Sequence, residues 1–262
     1  MRMKYSVSIF LSIFLLIATG LHAQSPYEFK KGADISIGAN FIVFGAASVF
    51  AEKKDSPLTT EAIFNLNHED VFFIDRSATR QWSPVLASVS DAGLLLSIVS
   101  PAFLMFSEDM RKDAGIIGTM TAENIFTTLV FTTFTKATTG RTRPYAYNPE
   151  VPESFKLKQD AQRSFFSGHT SLAFCSAVLT STIFSKYYPD SSLKPWVWGT
   201  TLTLAGTTGL LRYFSGKHFP TDIIAGAIVG SAVGYCIPKL HEKQPETNPG
   251  QRTFSVRLVF AL

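Results

Sequence analysis

The chain has 262 residues, of which 46% are hydrophobic and only 17% are charged, and its mean hydropathy is +0.16. This composition is more apolar than that of an ordinary water-soluble protein of this length, so we expect a lipid bilayer to surround much of it. The formal net charge of +4 is too small to indicate a nucleic-acid-binding surface, and no nucleic-acid partner is expected.

The first residues have the layout of a secretory signal peptide. Arg2 and Lys4 precede an apolar run over residues 7–18, and small residues follow at Gly20 and Ala23. We predict a signal peptide over residues 1–23, with an uncleaved signal anchor as the alternative.

Six apolar segments follow, and most approach the ~20 residues that a helix needs to cross a hydrocarbon core. The segments are Ile35 to Ala51, Val85 to Phe106, Ala114 to Phe134, Phe166 to Phe184, Trp196 to Phe214 and Ile223 to Ile237. They predict an all-α fold, a six-helix bundle embedded in a membrane, with its main domain over residues 24–240.

Polar and small residues inside these segments refine the prediction. Asp91, Glu123 and Asn124 should face the bundle interior and line a site, and the alternative is helix packing in a water-soluble fold. Gly226 and Gly230 belong to a four-residue repeat of glycines on which a neighbouring helix can pack closely, in a membrane or in water.

Two connections and the tail lie outside the apolar segments. Residues 52–83 are predicted to lie along the membrane surface or to form a solvated loop, and the proline-rich residues 140–164 to form a loop over a substrate. Residues 241–262 are predicted as a polar linker with a short strand-like end, and a disordered tail is the alternative.

Three short clusters carry candidate chemistry at the edges of these segments. They read Lys136-x6-Arg143-Pro144, Ser167-Gly168-His169 and Arg212-x5-His218-x3-Asp222. Lysine and arginine bring permanent charge and N–H donors that match phosphate oxygens. Ser167 and Gly168 precede a long apolar stretch, so they form a candidate helix N-terminus that favours an anion.

The two histidines have separate predicted roles. Because His218 stands four residues before Asp222, the carboxylate is placed to orient one imidazole nitrogen and leave the other as a nucleophile. His169, on a different segment, is then the group that protonates the leaving alkoxide.

These clusters resemble the signatures of the type 2 phosphatidic acid phosphatases (PAP2), which share a core with bacterial class A acid phosphatases and vanadium haloperoxidases. The family motifs are Lys-x6-Arg-Pro, Pro-Ser-Gly-His and Ser-Arg-x5-His-x3-Asp, and the resemblance covers about residues 84–238 with order and spacing intact. Two positions depart from the motifs: Phe166 replaces a proline and Leu211 replaces a serine.

The resemblance implies a role for each matching residue. His218 becomes the nucleophile that forms a phosphohistidine, Asp222 orients it, and His169 is the general acid. The implied phosphate-binding residues are Lys136, Arg143, Ser167, Gly168 and Arg212. The family uses no metal, so no cofactor is expected.

All three clusters emerge on one side of a six-helix bundle. The resemblance implies a phosphatase, and we expect it in the cytoplasmic membrane of a bacterial envelope, with a phosphorylated lipid as substrate and, as is usual in the family, with the site facing the periplasm. A cleaved signal peptide followed by six crossing segments would instead place the site in the cytoplasm. Candidate substrates are phosphatidate, phosphatidylglycerophosphate, undecaprenyl diphosphate and lipid A phosphates. The alternatives are a soluble periplasmic acid phosphatase of broad specificity and an inactive membrane protein that binds lipid or phosphate.

Overall fold

The computed structural model describes residues 25–52 and 57–244, and the predicted signal peptide and strand-like tail lie outside the described residues. Six long helices dominate these two ranges, and the six predicted segments match them one for one. They are α1 (Lys31–Glu52), α2 (Pro84–Val99), α3 (Ala114–Thr139), α4 (Gly168–Tyr187), α5 (Lys194–Phe214) and α6 (Pro220–His241). The all-α prediction is confirmed, since the described ranges hold a single isolated bridge, between Tyr27 and Glu242, in place of a sheet.

Helix α4 forms the centre of the bundle. It contacts α2, α3, α5 and α6, and most of its side chains are buried. Between α3, α4 and α6 lies an apolar core, which includes Ile117, Met120, Leu179, Ile183 and Ile237. The first turn of α4 therefore lies beside the ends of its neighbours, where the predicted site residues are found.

The glycines of α6 allow α4 to approach closely. A Cβ on Gly226 would lie 2.7 Å from the carbonyl oxygen of Ser167, and a Cβ on Gly234 would lie 2.5 Å from that of Cys175. Side chains at these positions would overlap the α4 backbone, so the glycine repeat serves the close packing that the sequence predicts.

Helix α1 packs at the edge of the bundle, mainly against α3. Phe41 contacts Phe126 and Phe44 contacts Phe134, each with ring centroids 5.4 Å apart. The segment before α1 is tied to the end of α6, because the backbone N–H of Glu28 donates to the carbonyl of His241.

The outer surface of the bundle is apolar. Ile42 on α1 is 70% exposed, Val85 on α2 is 71% exposed and Ile228 on α6 is 65% exposed. By length and composition, α1, α2, α3 and α6 with their flanking residues qualify as membrane-crossing helices among the described residues. Helices α4 and α5 fall short of that criterion, and in α4 the buried Ser171, Ser176 and similar side chains account for the lower hydropathy.

The connections contain more structure than the sequence predicts. Residues 57–83 include a short helix, Thr60–Phe64, and two 3₁₀ turns, His68–Asp70 and Arg76–Arg80. This stretch is not a plain solvated loop, because its Asp75 is fully buried.

The predicted loop over residues 140–164 also holds short helices, Pro144–Tyr147, Glu153–Lys156 and the 3₁₀ turn Gln159–Gln162. Helix α6 continues through Pro238 to His241.

Candidate active site

The three clusters meet at one end of the bundle. Lys136 lies in the last turn of α3, Ser167 precedes α4, and Arg212 lies in the last turn of α5. His218 lies in the short connection to α6, and Asp222 lies in the first turn of α6. The structure therefore brings all eight predicted residues, distant in sequence, to one end of the fold.

His218 lies at the centre of the site, with only 1% of its surface exposed. Its Nδ1 is 3.4 Å from Oδ2 of Asp222, and its Nε2 is 3.3 Å from Nη1 of Arg143. Burial and the nearby Arg143 cation lower the pKa of His218 well below its usual 6.5. The imidazole is therefore neutral at pH 7, as a nucleophile must be.

Asp222 is held by several donors. Its Oδ2 accepts hydrogen bonds from the backbone N–H of Phe219 at 3.0 Å and from the hydroxyl of Ser164. Its Oδ1 pairs with Arg141. These contacts leave the carboxylate little freedom to rotate away from His218.

Arg141 connects Asp222 to a second buried carboxylate. Its Nη2 is 2.7 Å from Oδ2 of Asp75, which also accepts from the hydroxyl of Thr221 at 2.6 Å. Sequence reasoning missed Arg141, Ser164 and Asp75. Arg141 could have been selected from the sequence, because it lies inside the Lys136 to Arg143 cluster. Asp75 lies in a connection that carries no motif.

Arg143 is buried and fixed by the loop over residues 140–164. Its Nε donates to the carbonyl of Asp160 at 2.8 Å, and its Nη2 pairs with the Asp160 carboxylate at 2.7 Å. Its Nη1 also donates to the carbonyl of Lys217 at 3.0 Å. Burial by itself would raise the pKa of Asp160. The positive charges of Arg143 and Lys217 outweigh this effect, so the pKa is lowered and the carboxylate stays ionised.

Lys217 adds a cation that the sequence analysis did not select. Its Nζ lies 4.9 Å from the ring centroid of Tyr145. Burial, and then the charge of Arg143, lower the pKa of Lys217 to about 8. Lys217 therefore loses its positive charge at a lower pH than the arginines around it.

His169 and Arg212 share one carboxylate, that of Asp91 on α2. Oδ1 of Asp91 is 2.7 Å from Nε2 of His169 and 3.2 Å from Nη1 of Arg212. Asp91 lines the site as predicted. Glu123 does not line the site. It contacts His241 at the end of α6, and it lies about 20 Å along α3 from Lys136.

Ser167 and Gly168 form the start of α4. Ser167 is fully buried, and its Oγ accepts a hydrogen bond from the hydroxyl of Thr170 at 2.8 Å. A Cβ on Gly168 would lie 3.0 Å from Cγ2 of Thr132 and 3.9 Å from Cε of Lys136. Lys136 itself donates from Nζ to the carbonyl of Arg163 at 2.9 Å. Glycine at this position thus lets the α4 terminus lie against the end of α3.

The sequence profile of the PAP2 superfamily matches residues 115–246, which make up half of the chain and include every predicted site residue. The chain belongs to the PAP2 superfamily. The predicted resemblance covers about residues 84–238, whereas the match begins later, at residue 115, and ends later, at residue 246.

Individual relatives are distant. Over 163 residues the chain is 27% identical to a lipid A 4'-phosphatase of Porphyromonas gingivalis, covering 60% of this chain and 64% of the relative. Over 92 residues it is 37% identical to a probable diacylglycerol pyrophosphate phosphatase of Schizosaccharomyces pombe, covering 33% of each chain. The chain thus spans less than two thirds of the length of these relatives.

Among solved structures, a transmembrane PAP2-type phosphatidylglycerolphosphate phosphatase from Bacillus subtilis resembles this chain with a TM-score of 0.48. The two chains are 21% identical, and the alignment covers 79% of this chain and 94% of that one.

Proposed function

We propose that this PAP2 protein is a phosphatase that removes phosphate from a membrane lipid through a phosphohistidine at His218. The observation that carries the proposal is the environment of that ring, which is buried and neutral, with Asp222 at Nδ1 and Arg143 at Nε2. A structural histidine has no need of a guanidinium beside its free nitrogen, whereas an in-line attack on a phosphate does.

The cations prepare the site for a phosphoryl group. Lys136, Arg143 and Arg212 neutralise the non-bridging oxygens, and the hydroxyl of Ser167 and the backbone N–H of Gly168 donate to them. Phosphoryl transfer depends mainly on this positioning and on charge stabilisation. The contact between Arg212 and Asp91 then weakens as the phosphate takes its place.

The first step forms a bond between Nε2 of His218 and phosphorus while the ester P–O bond breaks. Asp222 holds the Nδ1 proton and stabilises the charge that develops on the ring. The 3.4 Å separation of these two atoms is longer than a standard hydrogen bond, and we expect it to shorten when phosphate binds. His169 has to start this step as the imidazolium: burial lowers its pKa, the hydrogen bond to the Asp91 carboxylate opposes that effect, and the protonated ring donates to the leaving alkoxide.

In the second step, His169 accepts a proton from a water molecule that attacks phosphorus. The P–N bond breaks, inorganic phosphate leaves, and His218 regains its neutral form. Each histidine therefore ends the cycle in its starting state, and no further reactant is required besides water.

A lipid substrate fits the surroundings of the site. The apolar outer surfaces of α1, α2 and α6 suit a bilayer, and the site lies at one end of the bundle. Lipid A phosphates come first among the candidates because of the lipid A 4'-phosphatase relative. Phosphatidate, phosphatidylglycerophosphate and undecaprenyl diphosphate remain in the set to be tested.

We further propose that the site faces the periplasm of a bacterial cell. The arrangement that is usual in the PAP2 family supports this side, whereas an exported N-terminus followed by six crossing helices would place the site in the cytoplasm. Alkaline phosphatase fused within residues 140–164 should be active, because that enzyme folds only outside the cytoplasm, and an inactive fusion would place the site inside.

The experiment is phosphate release by the full chain in detergent, with a lipid panel beside a water-soluble aryl phosphate. We expect a strong preference for one lipid and loss of all turnover in His218→Gln. His68→Gln is the matched control, because His68 is exposed and lies in the connection before α2. Equal rates on the soluble ester would favour a general acid phosphatase, and release from neither substrate class would favour a binding protein.

A further inference from the structure

A second polar cluster lies away from the phosphate site, where α1, α3 and α6 meet. Asp34 comes from the first turn of α1, Glu123 from α3 and His241 from the last residue of α6. Their ligand atoms all lie within 4.8 Å of one another. Nε2 of His241 is 2.8 Å from Oδ1 of Asp34 and 3.4 Å from Oε2 of Glu123.

The orientation of His241 directs its Nε2 atom into this cluster. Its Nδ1 is 3.0 Å from the carbonyl oxygen of Ile237, an acceptor that requires the proton to be on Nδ1. The other ring nitrogen, Nε2, therefore faces the two carboxylates, and it is the atom of His241 that is placed to bind a cation between them. A backbone carbonyl that fixes the tautomer of a histidine in this way is a usual partner of a metal-binding imidazole.

Glu123 is buried, and its ion-pair partner is Nε2 of His241, 3.4 Å from Oε2. Glu123 is 4% exposed, and neither of its carboxylate oxygens has a hydrogen-bond partner among the described residues. A buried carboxylate in that condition is costly unless a cation or a proton compensates it.

The basic side chains at this end of the bundle bind elsewhere. Lys30 donates to the carbonyl of Glu242 at 2.6 Å, and Lys186 and Lys239 pair with the Glu242 carboxylate. Two carboxylates and one imidazole nitrogen thus converge with no lysine or arginine of the chain paired to them in the described ranges.

We propose that Asp34, Glu123 and His241 bind one divalent transition-metal ion, with Zn²⁺ as the best match to one nitrogen and two oxygen ligands. Three protein ligands leave a coordination position for water. Asp34 is 24% exposed and gives the ion a route from solvent.

The ion would act as a structural clamp. Helix α1 packs mainly on α3, and a shared metal would fasten the start of α1 to both α3 and the end of α6. The site lies about 20 Å along α3 from Lys136, so it takes no part in phosphate transfer. A failure of the metal-binding test would therefore leave the proposed phosphatase activity untouched, and the reverse also holds.

The test is Zn²⁺ binding by the full chain in detergent after treatment with a chelator, measured by calorimetry and by metal analysis. We expect one high-affinity Zn²⁺ per chain, higher thermal stability when it is bound, and weaker binding of Mg²⁺ and Ca²⁺. Loss of an outer-shell partner alone lowers metal affinity about 10- to 100-fold, so Glu123→Gln and His241→Gln should weaken binding by ~100-fold or more.

Two controls keep the result decisive. Asp34→Asn alters the partly exposed ligand and should weaken binding even if the buried variants fail to fold. His68→Gln removes an exposed histidine beside Glu69 and should leave binding unchanged. The proposal is overturned if the wild-type chain takes up no stoichiometric Zn²⁺, or if Asp34→Asn binds as tightly as wild type. Stabilisation of the metal-free chain by Glu123→Gln, without Zn²⁺ uptake by wild type, would assign a protonated carboxylate instead.

Discussion

Nη1 of Arg143 lies 3.3 Å from Nε2 of His218, so a fixed cation faces the nitrogen that we propose attacks phosphorus. The guanidinium cannot turn away, because Asp160 holds its other nitrogens through a carbonyl and a carboxylate. This contact both disfavours protonation of His218 and marks the position of the phosphate oxygens. The same interaction therefore links the stability of the fold to pH.

The stability of His218→Gln should fall less in acid than the stability of the wild-type chain. The pKa of His218 is well below 6.5 in the folded chain, whereas an unfolded chain has a histidine pKa of about 6.5. The unfolded state thus binds more protons as the pH falls through ~6.5 towards the folded pKa, and wild-type stability falls by up to about 1.4 kcal/mol per pH unit. Melting temperatures in detergent, compared between pH ~6.5 and ~5, should decline more steeply for wild type than for the variant. Parallel curves would show that His218 is not held neutral.

Asp91→Asn should slow the reaction selectively. Asp91 holds His169 at 2.7 Å, and the amide loses the charge that orients the imidazole and supports its protonated form. General acid catalysis contributes about 10²- to 10⁴-fold, so turnover of a lipid ester should fall by ~10-fold or more. An aryl phosphate, whose leaving group needs little protonation, should be affected much less.

Asp109→Asn is the matched control for that variant, because Asp109 is an exposed carboxylate near Lys112, outside the site. An equal loss with both substrates would mean that Asp91 acts on phosphate binding and not through His169.

Gly230→Ala should destabilise the bundle. A Cβ at this position would overlap the carbonyl oxygen of Ser171 on α4, so α6 would have to move outwards. Overpacking of this kind typically costs about 1–3 kcal/mol. Gly199→Ala on α5 meets no atom within 4 Å and should be neutral or slightly stabilising. Thermal unfolding of both variants in detergent checks this, and equal stabilities would show that α4 and α6 are not in close contact.

The sequence predicted the long helices and the set of site residues because both depend on local patterns. Apolar runs mark the helices, and Ser167 and Pro220 mark where α4 and α6 begin. The spacing of His218 and Asp222 already places a carboxylate one helical turn from the ring. The same residues are those that match the family signatures.

The remaining parts depend on contacts between distant segments. Asp75 has no motif, yet it is buried against Thr221 and Arg141, far away in sequence. Glu123 was expected in the site because an acidic residue in an apolar segment suggests function, but its position along α3 places it with His241. Neither contact is readable before the helices are assembled.

The central claim is a covalent phosphohistidine at His218, and trapping that intermediate tests it most directly. The experiment supplies an aryl phosphate to the full chain and to His169→Ala, quenches in base because the P–N bond is labile in acid, and locates the phosphoryl group by peptide mass spectrometry. We expect the label on His218, more of it in His169→Ala because water attack is slowed, and none in His218→Gln. A label on another residue, or turnover by His218→Gln at the wild-type rate, would contradict the mechanism.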